Sequence, residues 1–341
     1  MAKRLSAVLV GCGGMSAAWL DAARADGALD VVGLVDIRRE AAERVAADYC
    51  MAPAVVFDTL ERALKTAKPD VVFDVTTPES HYGVTTKALR AGCHVMGEKP
   101  LADSMSRARR MVQAARKAGR IYAVMQNRRY IPTVLSLVKM LRKRTIGDLT
   151  TVNADYYMGP HFGGFRDVMD HPLLLDMAIH TFDQARQITG EEPITVYCKE
   201  FNEKGSWFRG DASAMCIFEM TGGVVLNYRG SWTAEGFSTP WAASWRVIGT
   251  KGTALWSEDQ PRAQVVCGDV KQYHRPLREV KGKPVKVKAA TGHEACIAEF
   301  LNAVRAGERP QTVCEDNIRS LAMVFSAIKS AKLGRRVKVE W

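Results

Sequence analysis

The sequence predicts two domains: a doubly wound α/β domain with a parallel sheet, followed by an α+β domain with an open, mainly antiparallel sheet. Short apolar strands alternate with helices over the first 125 residues, which is typical of a parallel sheet joined by crossover helices. After residue 145, strands follow one another without intervening helices, which indicates antiparallel pairing. The length of 341 residues also exceeds the roughly 250–300 residues at which a single core stops growing. We therefore expect one domain at 1–125 and a second at 126–341.

The apolar runs of the first domain predict its strands, and the segments between them predict its helices. Continuous apolar strands are typical of a sheet that is buried on both faces. Gly92 and Gly119 follow two of the helices, a position where glycine commonly ends a helix. The strands are expected at Leu5–Val10, Val31–Val35, Val55–Phe57, Val71–Val75, His94–Met96 and Ile121–Met125. The helices are expected at Ser16–Ala25, Arg38–Tyr49, Leu60–Ala67, Ser80–Ala91 and Ser104–Ala118.

The second domain is expected to expose an apolar sheet face. Six of the seven tryptophans lie beyond residue 200, and an apolar, tryptophan-rich outer face needs a cover. The simplest cover is a second subunit, so we expect a homodimer or homotetramer built through this sheet. The strands are expected at Thr150–Met158, Thr195–Phe201, Ala212–Met220, Val224–Trp232, Ser244–Ile248, Ala254–Ser257 and Ala263–Cys267. The helices are expected at Leu173–Ile188, His293–Ala306 and Asp316–Lys332.

Composition and charge narrow the class of protein. The net charge of +11 is concentrated at Arg107–Arg144, which holds twelve basic and no acidic residues, and at Lys271–Lys288. Nucleic-acid-binding proteins carry such stretches, but no nucleic-acid motif accompanies them, which favours solvated helix faces and attraction for an anionic small molecule. No apolar run of about 18 residues predicts a membrane span, and no signal peptide is recognisable. The eight cysteines are scattered without a Cys-x-x-Cys pair, so a cytoplasmic protein with free thiols is expected.

A glycine-rich turn, Gly11–Ser16 (GCGGMS), joins the first strand to the first helix. Gly11 and Gly13 match the first two glycines of the G-x-G-x-x-G dinucleotide-binding pattern, and Ser16 replaces the third. The first glycine permits the tight turn, and the second lets the backbone approach a pyrophosphate on the helix N-terminus. Asp36 ends the second strand, where an acid binds the adenosine ribose hydroxyls. These features together predict a dinucleotide-binding Rossmann domain.

The residues after the second strand bear on the choice of cofactor. Asp36 favours NAD, because its carboxylate would repel the 2′-phosphate of NADP. Arg38 and Arg39 follow immediately and offer the alternative of holding that phosphate. NAD is therefore the expected cofactor, and NADP stays possible.

Two further loops follow strand ends, where open parallel sheets bind their ligands. Thr76–His81 (TTPESH) follows the fourth strand, and Gly97–Pro100 (GEKP) follows the fifth. Pro100 restricts the backbone beside Lys99, which favours a lysine held in place. The alternative is an ordinary solvated lysine, which is the usual state of a lysine in a loop.

The predicted helix at 173–188 carries five polar residues near one face: Asp176, His180, Asp183, Gln184 and Gln187. This spacing is as typical of a solvated helix face as of a functional site. Apolar residues on the other faces indicate a largely buried helix, and the stripe places a short acid one turn before an imidazole. Such a pair is able to bind a metal, but no third ligand is marked, so no metal is expected.

The chain resembles the Gfo/Idh/MocA oxidoreductases, the family of glucose–fructose oxidoreductase and inositol dehydrogenase. The resemblance covers nearly the whole chain in the family's order, and Ser16 in the glycine loop is a departure from it. A second departure, His171–Leu175 (HPLLL), replaces a turn that is rich in glycine in many members, which leaves the substrate open. The matching segments are Gly11–Met15, Thr77–His81, Glu98–Ala102, Asn127–Tyr130, Asp176-x-x-x-His180 and Gly249-x-x-Gly252.

The resemblance implies oxidation of a secondary hydroxyl of a sugar, cyclitol or related polyol, with hydride transfer to NAD. In this reaction His180 takes the hydroxyl proton, Lys99 stabilises the charge that develops on the oxygen, and Asp176 holds a neighbouring hydroxyl. The residues expected to contact the cofactor are Gly11, Cys12, Gly13, Gly14, Met15, Asp36, Arg38, Thr76, Thr77, Pro78, His81, Glu98, Lys99 and Asn127. Those expected to contact the substrate are Lys99, Arg128, Tyr157, His161, Arg166, Asp176, His180 and Trp232. For Tyr157, His161, Arg166 and Trp232, a purely structural role is an equal alternative.

Two other classes of function are kept as alternatives. A redox-neutral glycosidase or epimerase would retain NAD and oxidise the sugar only transiently, but it needs a second acid–base residue that the sequence does not mark. A non-catalytic dinucleotide sensor would regulate a partner protein. The joint presence of Lys99, Asp176 and His180 argues against such a sensor.

Overall fold

The structure is a computed structural model that describes residues 3–52, 55–268, 273–289 and 291–341. Lys271, where the second basic stretch begins, lies outside the described residues. The chain divides into two compact units. The first consists of Met1–Asn127 and Lys288–Leu321, and the second of Arg128–Val287 and Ala322–Trp341.

The return of residues 288–321 to the first unit differs from the sequence boundary, which assigns them to the second domain. Two contacts show how this segment joins the first unit. Arg305 Nη1 donates to Asp26 Oδ2 at 2.9 Å, and the amide of Val124 donates to the carbonyl of Thr312 at 3.0 Å. Such contacts join residues that are far apart in sequence, so local sequence patterns do not reveal them.

The first unit is built on a six-stranded parallel sheet. Its strands are β1 (Leu5–Val10), β2 (Leu29–Val35), β3 (Val56–Phe57), β4 (Val71–Asp74), β5 (His94–Gly97) and β6 (Tyr122–Val124). Their spatial order is β3-β2-β1-β4-β5-β6, the order of doubly wound dinucleotide-binding domains. Central-strand residues such as Val8, Leu9 and Val72 have no exposed surface, as expected for a sheet covered on both faces. The predicted Rossmann domain is confirmed.

The second unit contains a nine-stranded mixed sheet. Its strands are β7 (Leu149–Tyr157), β8 (Pro193–Phe201), β9 (Ser213–Met220), β10 (Val225–Ser231), β11 (Ser244–Gly249), β12 (Gly252–Trp256), β13 (Arg262–Val266), β14 (Leu277–Lys281) and β15 (Val337–Lys338). Their order is β14-β13-β12-β11-β7-β10-β9-β8-β15. Strands β7 and β10 run parallel, and the other neighbouring strands pair antiparallel. The predicted open, mainly antiparallel sheet is confirmed.

The helices surround these two sheets. They are α1 (Ser16–Asp26), α2 (Arg39–Asp48), α3 (Leu60–Ala67), α4 (Pro78–Arg90), α5 (Met105–Ala118), α6 (Pro132–Arg142), α7 (Ile179–Thr189), α8 (Gly292–Ala306) and α9 (Cys314–Leu333). A π-helix, Leu173–Ala178, leads directly into α7. Within the described part of the chain, none of the helices combines the length and the hydropathy that a bilayer span requires.

Four elements differ from the sequence prediction. Helix α6, which opens with Pro132 at its first position, and the strands β14 and β15 are additional. Strand β14 is mostly charged and lies at an exposed edge of the sheet, and β15 has only two residues, so neither has an apolar signature. The single helix predicted at 173–188 is a π-helix followed by an α-helix, a distinction that apolar periodicity does not carry.

The expected apolar outer face exists, but tryptophans of the strands do not make it. Trp232, Trp245 and Trp256 are 1%, 2% and 1% exposed and lie in the core, whereas Trp241, which is 46% exposed, lies in a turn before β11. The premise of a tryptophan-rich sheet face was therefore wrong. The exposed apolar side chains of the sheet lie instead on β8 and β9, where Tyr197 pairs with Ile217 in the antiparallel register. We call Ile194, Tyr197, Met215 and Ile217 the β8–β9 face; each of these residues is 44–51% exposed.

Candidate functional site

The turn between β1 and α1 has two glycines with different physical roles. Gly11 has φ +97°, and a Cβ added there would lie 2.5 Å from the carbonyl oxygen of Val75. Glycine is therefore required at this position to permit the turn itself. At Gly13 and Gly14, an added Cβ would meet no heavy atom of the described residues within 4 Å. The space beside Gly13 and Gly14 is open, as a turn that receives a ligand requires.

Helix α1 begins with amides that are available to an anion. Its N-cap residue is Met15, no side-chain hydrogen bond caps it among the described residues, and its first turn holds no acidic residue. Ser16, which replaces the third glycine, is buried, and its hydroxyl donates to the carbonyl of Gly13 at 2.7 Å. No acidic side chain of the first turn therefore offsets the partial positive charge of the helix N-terminus, which suits a pyrophosphate.

Asp36 lies directly after β2 and is held by the turn. Its Oδ2 accepts the amide of Cys12 at 2.8 Å, and its Oδ1 accepts the amide of Arg38 at 2.8 Å. A carboxylate oxygen has a second acceptor site, so both oxygens can still receive ribose hydroxyls. Arg39 binds Glu43 and Asp58, which leaves Arg38 as the nearer candidate for a 2′-phosphate.

The loop after β4 is organised by a buried carboxylate. Asp74 is fully buried and accepts hydrogen bonds from the hydroxyls of Thr76 at 2.6 Å and Thr85 at 3.0 Å, while His81 Nδ1 lies 3.1 Å away. Burial disfavours the charged imidazole, but Asp74 and neighbouring carboxylates outweigh it and raise the pKa of His81. His81 is fully buried beside Asp74, and its expected contact with the cofactor stays a prediction.

Thr77 and Pro78 begin helix α4. Thr77 is the N-cap residue and Pro78 occupies the first turn, where its missing N–H costs nothing. Both stand at the carboxyl end of the sheet, as the sequence predicts.

Glu98 and Lys99 follow β5. The Oε1 of Glu98 accepts the indole N–H of Trp19 on α1 at 2.7 Å, and its Oε2 accepts the amide of Lys99 at 3.2 Å. Glu98 is 9% exposed, so the contacts that the structure gives it are internal and position the loop against α1. Lys99 is half-buried at the strand end and precedes the cis peptide bond to Pro100.

Asn127 has a partner that sequence reasoning missed. Its Nδ2 lies 3.3 Å from His293 Nδ1, and a Cβ on Gly292 would lie 2.5 Å from the Asn127 carbonyl oxygen. Burial lowers the pKa of His293, which favours the neutral imidazole. The sequence predicts a helix that begins at His293, but no motif marks its side chain.

In the second unit, Asp176 lies in the π-helix and His180 in the first turn of α7. Arg166 Nε donates to Asp176 Oδ2 at 2.7 Å, and its guanidinium also lies over the rings of Phe162 and Phe165. The side chain of Asp176 is 13% exposed, and residue His180 is 8% exposed. The structure thus places Arg166, one of the expected substrate contacts, directly on Asp176.

The rest of the polar stripe on α7 has an internal role. Arg129 binds Asp183 through two hydrogen bonds of 2.6 and 2.7 Å, and both side chains are buried. Gln187 donates to the carbonyl of Arg129 at 2.8 Å, and Gln184 is fully buried. The alternative of a solvated helix face is therefore wrong.

Arg128 lies in the same neighbourhood as the π-helix. Its Nη2 lies 3.4 Å from the sulfur of Met177, and its Nη1 is buried with no hydrogen-bond acceptor among the described residues. Burial lowers the pKa of Arg128 to about 10, a shift that Tyr156 and Asp176 oppose. The guanidinium stays charged at neutral pH and keeps a donor for an oxygen-rich ligand.

Tyr157 lies on the opposite face of β7 from Tyr156. The buried face of this strand holds Val152, Ala154 and Tyr156, whereas Tyr157 shares the other face with Asp155. Tyr156 is fully buried, accepts the indole N–H of Trp232 at 3.1 Å, and has a pKa of about 12, raised by burial. Because successive side chains alternate across a strand, Tyr156 lies on the buried face of β7 and Tyr157 on the other; the contact of Tyr157 with the substrate stays a prediction.

Two other expected substrate contacts have structural partners. His161 is exposed, stacks on Trp207 with a 3.8 Å centroid separation, and lies 3.1 Å from Glu235. Trp232 is 1% exposed and stacks on Phe208. For both residues, the structural alternative describes the observed contacts.

The first unit fits a dinucleotide. The open space at Gly13 and the free amides of α1 suit a pyrophosphate, and Asp36 suits a ribose. The second unit offers an acid, an imidazole and two guanidinium groups, which together suit hydrogen bonding to hydroxyl groups and transfer of a proton.

Family models match segments of both units. A family model described as "Oxidoreductase family, NAD-binding Rossmann fold" matches residues 5–126, and a model of the GFO/IDH/MocA C-terminal domain matches residues 134–255. A 1,5-anhydro-D-fructose reductase from Ensifer adhaerens is 25% identical over 341 residues, covering 97% of this chain and 98% of that protein. An inositol 2-dehydrogenase from Rhizobium meliloti is 23% identical and covers 91% of each chain.

Solved structures share the fold over its whole length. An oxidoreductase from Agrobacterium radiobacter, in complex with NAD+, L-tartaric acid and magnesium, superposes with a TM-score of 0.87 at 20% identity, covering 99% of each chain. A levoglucosan dehydrogenase in complex with NADH and levoglucosan gives a TM-score of 0.85 at 20% identity, covering 99% of this chain and 100% of that one.

Proposed function

Because the chain belongs to the Gfo/Idh/MocA oxidoreductase family and contains its NAD-binding Rossmann domain, we propose that it oxidises a secondary hydroxyl of a sugar, cyclitol or related polyol. The observation that carries this proposal is the buried junction of the π-helix and α7, which holds Asp176 and His180 one turn apart. Irregular π-helical turns are frequent at functional sites. Relatives named as a D-apiose dehydrogenase and as inositol dehydrogenases support the substrate class.

His180 is the proposed general base. An imidazole titrates near neutral pH, so it can accept the proton of a hydroxyl and release it again in each cycle. Its position in the first turn of α7 is fixed, because the Arg129–Asp183 pair anchors the next turn of the same helix.

Lys99 is proposed to stabilise the negative charge that develops on the reacting oxygen. Its backbone is held at the end of β5, since its amide donates to Glu98, which in turn binds Trp19. NAD, when bound, supplies the acceptor for the hydride that leaves the substrate carbon.

Asp176, Arg166 and Arg128 are proposed to bind the non-reacting oxygens of the substrate. Arg166 orients the carboxylate of Asp176 at 2.7 Å, and each oxygen of a carboxylate has more than one site at which it accepts a hydroxyl. Arg128 contributes Nη1 as a donor. A polyol offers the alternating donors and acceptors that such a set requires.

The test is a panel of sugars, cyclitols and sugar acids screened for NAD reduction with the wild type and with His180→Asn. We expect at least one substrate, and a loss of turnover of about 10²–10⁴-fold in the variant, since this is the usual contribution of a general base. NAD affinity, measured by calorimetry, should stay unchanged, because the Gly11–Ser16 turn and Asp36 bind the cofactor.

The control is His161→Asn, which makes the same substitution at an exposed histidine that pairs with Glu235. Turnover that survives His180→Asn but falls with His161→Asn would refute the assignment. NAD that co-purifies tightly, with substrate conversion and no net NADH, would indicate the redox-neutral alternative instead.

We also propose that the chain forms a homo-oligomer through the β8–β9 face. Tyr197 and Ile217 are direct neighbours on this face, and each is 44–51% exposed in the isolated chain. Contiguous apolar surface of this kind is unfavourable in water and is typical of subunit interfaces.

A further inference from the structure

Three potential metal ligands from separate segments meet in the second unit. His171 precedes the π-helix, Glu200 lies near the end of β8, and Asp211 lies two residues before β9. One ligand atom from each lies within 4.8 Å of the others, and His171 Nδ1 is 2.9 Å from Glu200 Oε2. Among the described residues, these three side chains are the group of potential ligands whose atoms lie close enough together to hold one metal ion.

Glu200 is buried where the strand pattern calls for an apolar residue. The covered face of β8 runs Val196, Cys198, Glu200, with exposures of 0%, 1% and 7%. Its Oε2 lies 2.9 Å from His171 Nδ1, but neither carboxylate oxygen meets the geometry of a hydrogen bond with a described residue. A buried carboxylate whose close partner is an imidazole outside hydrogen-bond geometry is disfavoured, and a bound cation would compensate it.

Two carboxylates and one imidazole meet in this cluster, so the carboxylates outnumber the one group among the three that is able to carry a positive charge. A divalent cation would neutralise both carboxylates and accept the lone pair of a neutral imidazole at the same time.

We propose that His171, Glu200 and Asp211 bind a divalent transition-metal ion of the zinc class. One imidazole nitrogen and two carboxylate oxygens suit Zn²⁺, Co²⁺ or Mn²⁺ better than Mg²⁺ or Ca²⁺, which prefer oxygen ligands alone. Zinc takes such ligands at about 2.0–2.2 Å, which places them about 3.3–3.6 Å apart in a tetrahedron. The ligand atoms of the three side chains lie within 4.8 Å of one another, and the fourth position is left to water.

The backbone already holds these segments together. The amide of Asp211 donates to the carbonyl of Asp170 at 3.0 Å, and a Cβ on Gly210 would lie 2.2 Å from the same oxygen. His171 and Asp211 are therefore fixed next to each other before any ion binds. The ion would tie the segment that leads into the π-helix to β8 and β9, a structural role that is separate from the proposed oxidation.

The test uses the full chain without an affinity tag, after treatment with EDTA. Titration with Zn²⁺ by calorimetry should give one ion per chain, and Co²⁺ should give visible d–d absorption with the intensity of a tetrahedral site. Glu200→Gln and Asp211→Asn should each weaken binding by at least about tenfold. The matched control is His161→Ala, which removes a histidine that lies 3.1 Å from Glu235 at the surface and should leave affinity unchanged.

Two results would overturn the proposal. One is the absence of stoichiometric binding by the wild type, which would leave a simple imidazole–carboxylate pair at this place. The other is binding that Asp211→Asn does not weaken but His161→Ala does. If Glu200→Gln fails to fold, as circular dichroism would show, Asp211→Asn decides, because Asp211 is only half-buried and tolerates the exchange.

Discussion

Replacement of Gly13 by alanine is expected to weaken NAD binding without weakening the fold. The backbone of Gly13 lies outside the left-handed region, and an added Cβ would meet no heavy atom of the described residues within 4 Å. Alanine also restricts the unfolded chain more than glycine does. The free energy of unfolding should therefore stay constant or rise by about 0.4–1 kcal/mol.

The effect on NAD follows from the space that the methyl group takes. A phosphate oxygen bound to an amide lies about 2.9 Å from the nitrogen. The ordinary contact distance of a Cβ is 3.4–4 Å, so the methyl group and the oxygen compete for the same space. Loss of one hydrogen bond to a charged group costs about 1.5–3 kcal/mol, which corresponds to about 10- to 150-fold in Kd.

The assay is calorimetric titration of NAD beside urea denaturation. The contrasting variant is Gly11→Ala, whose Cβ would lie 2.5 Å from the Val75 carbonyl oxygen at φ +97°. Strain of this kind costs about 1–3 kcal/mol, so Gly11→Ala should lower the free energy of unfolding, which Gly13→Ala does not. If Gly13→Ala keeps its NAD affinity within about twofold while the fold is intact, the pyrophosphate does not lie on this turn.

Four shorter predictions concern other parts of the molecule. Asp183→Asn should lower the free energy of unfolding by about 3–5 kcal/mol in urea denaturation, because it removes the carboxylate charge that binds the buried guanidinium of Arg129; a loss below about 1 kcal/mol would contradict this. The wild type should bind NAD more tightly than NADP, and Asp36→Ala should narrow the difference in calorimetry; tighter NADP binding by the wild type would make Arg38 the reader of the phosphate. Ile217→Asp should shift light scattering to a smaller particle, and a monomeric wild type would refute the proposed interface. The pKa of His81 is raised in the folded state, so its protonation stabilises the fold. This contribution is fully present below about pH 6.5 and is lost as the pH rises through the folded-state pKa. His81→Gln should therefore flatten the pH dependence of the free energy of unfolding between these two values.

The geometry of the Gly11–Ser16 turn and the place of Asp36 could be predicted because their physics is local, whereas their contact with the cofactor stays a prediction. The turn at Gly11 needs a positive φ that glycine supplies, and Asp36 is placed by the length of one helix and one strand. Neither feature depends on a residue elsewhere in the chain, so spacing along the sequence is sufficient. The burial of His81 against Asp74 could not be predicted in this way, since the packing of α4 on the sheet determines it.

The surroundings of the candidate substrate residues in the second unit depend on contacts that spacing along the sequence does not encode. Whether Tyr156 or Tyr157 faces the helix layer is decided by the register of β7 against β10 and β11, and a difference of one residue reverses the face. The π-helix likewise shifts the residues of 173–178 relative to an ordinary helix without a change in apolar pattern. His293 reaches Asn127 from a segment 166 residues away.

Two adjacent arginines show how a partner, rather than a residue type, decides a role. The guanidinium of Arg129 binds Asp183, and this pair fixes α7. The role of Arg129 is therefore structural. Arg128 has no carboxylate within salt-bridge distance among the described residues, and its Nη1 is buried without an acceptor, which is a costly state for a free chain. A ligand oxygen removes that cost. Substrate affinity should therefore depend on Arg128. We expect Arg128→Lys to raise KM and Arg129→Lys mainly to lower the free energy of unfolding.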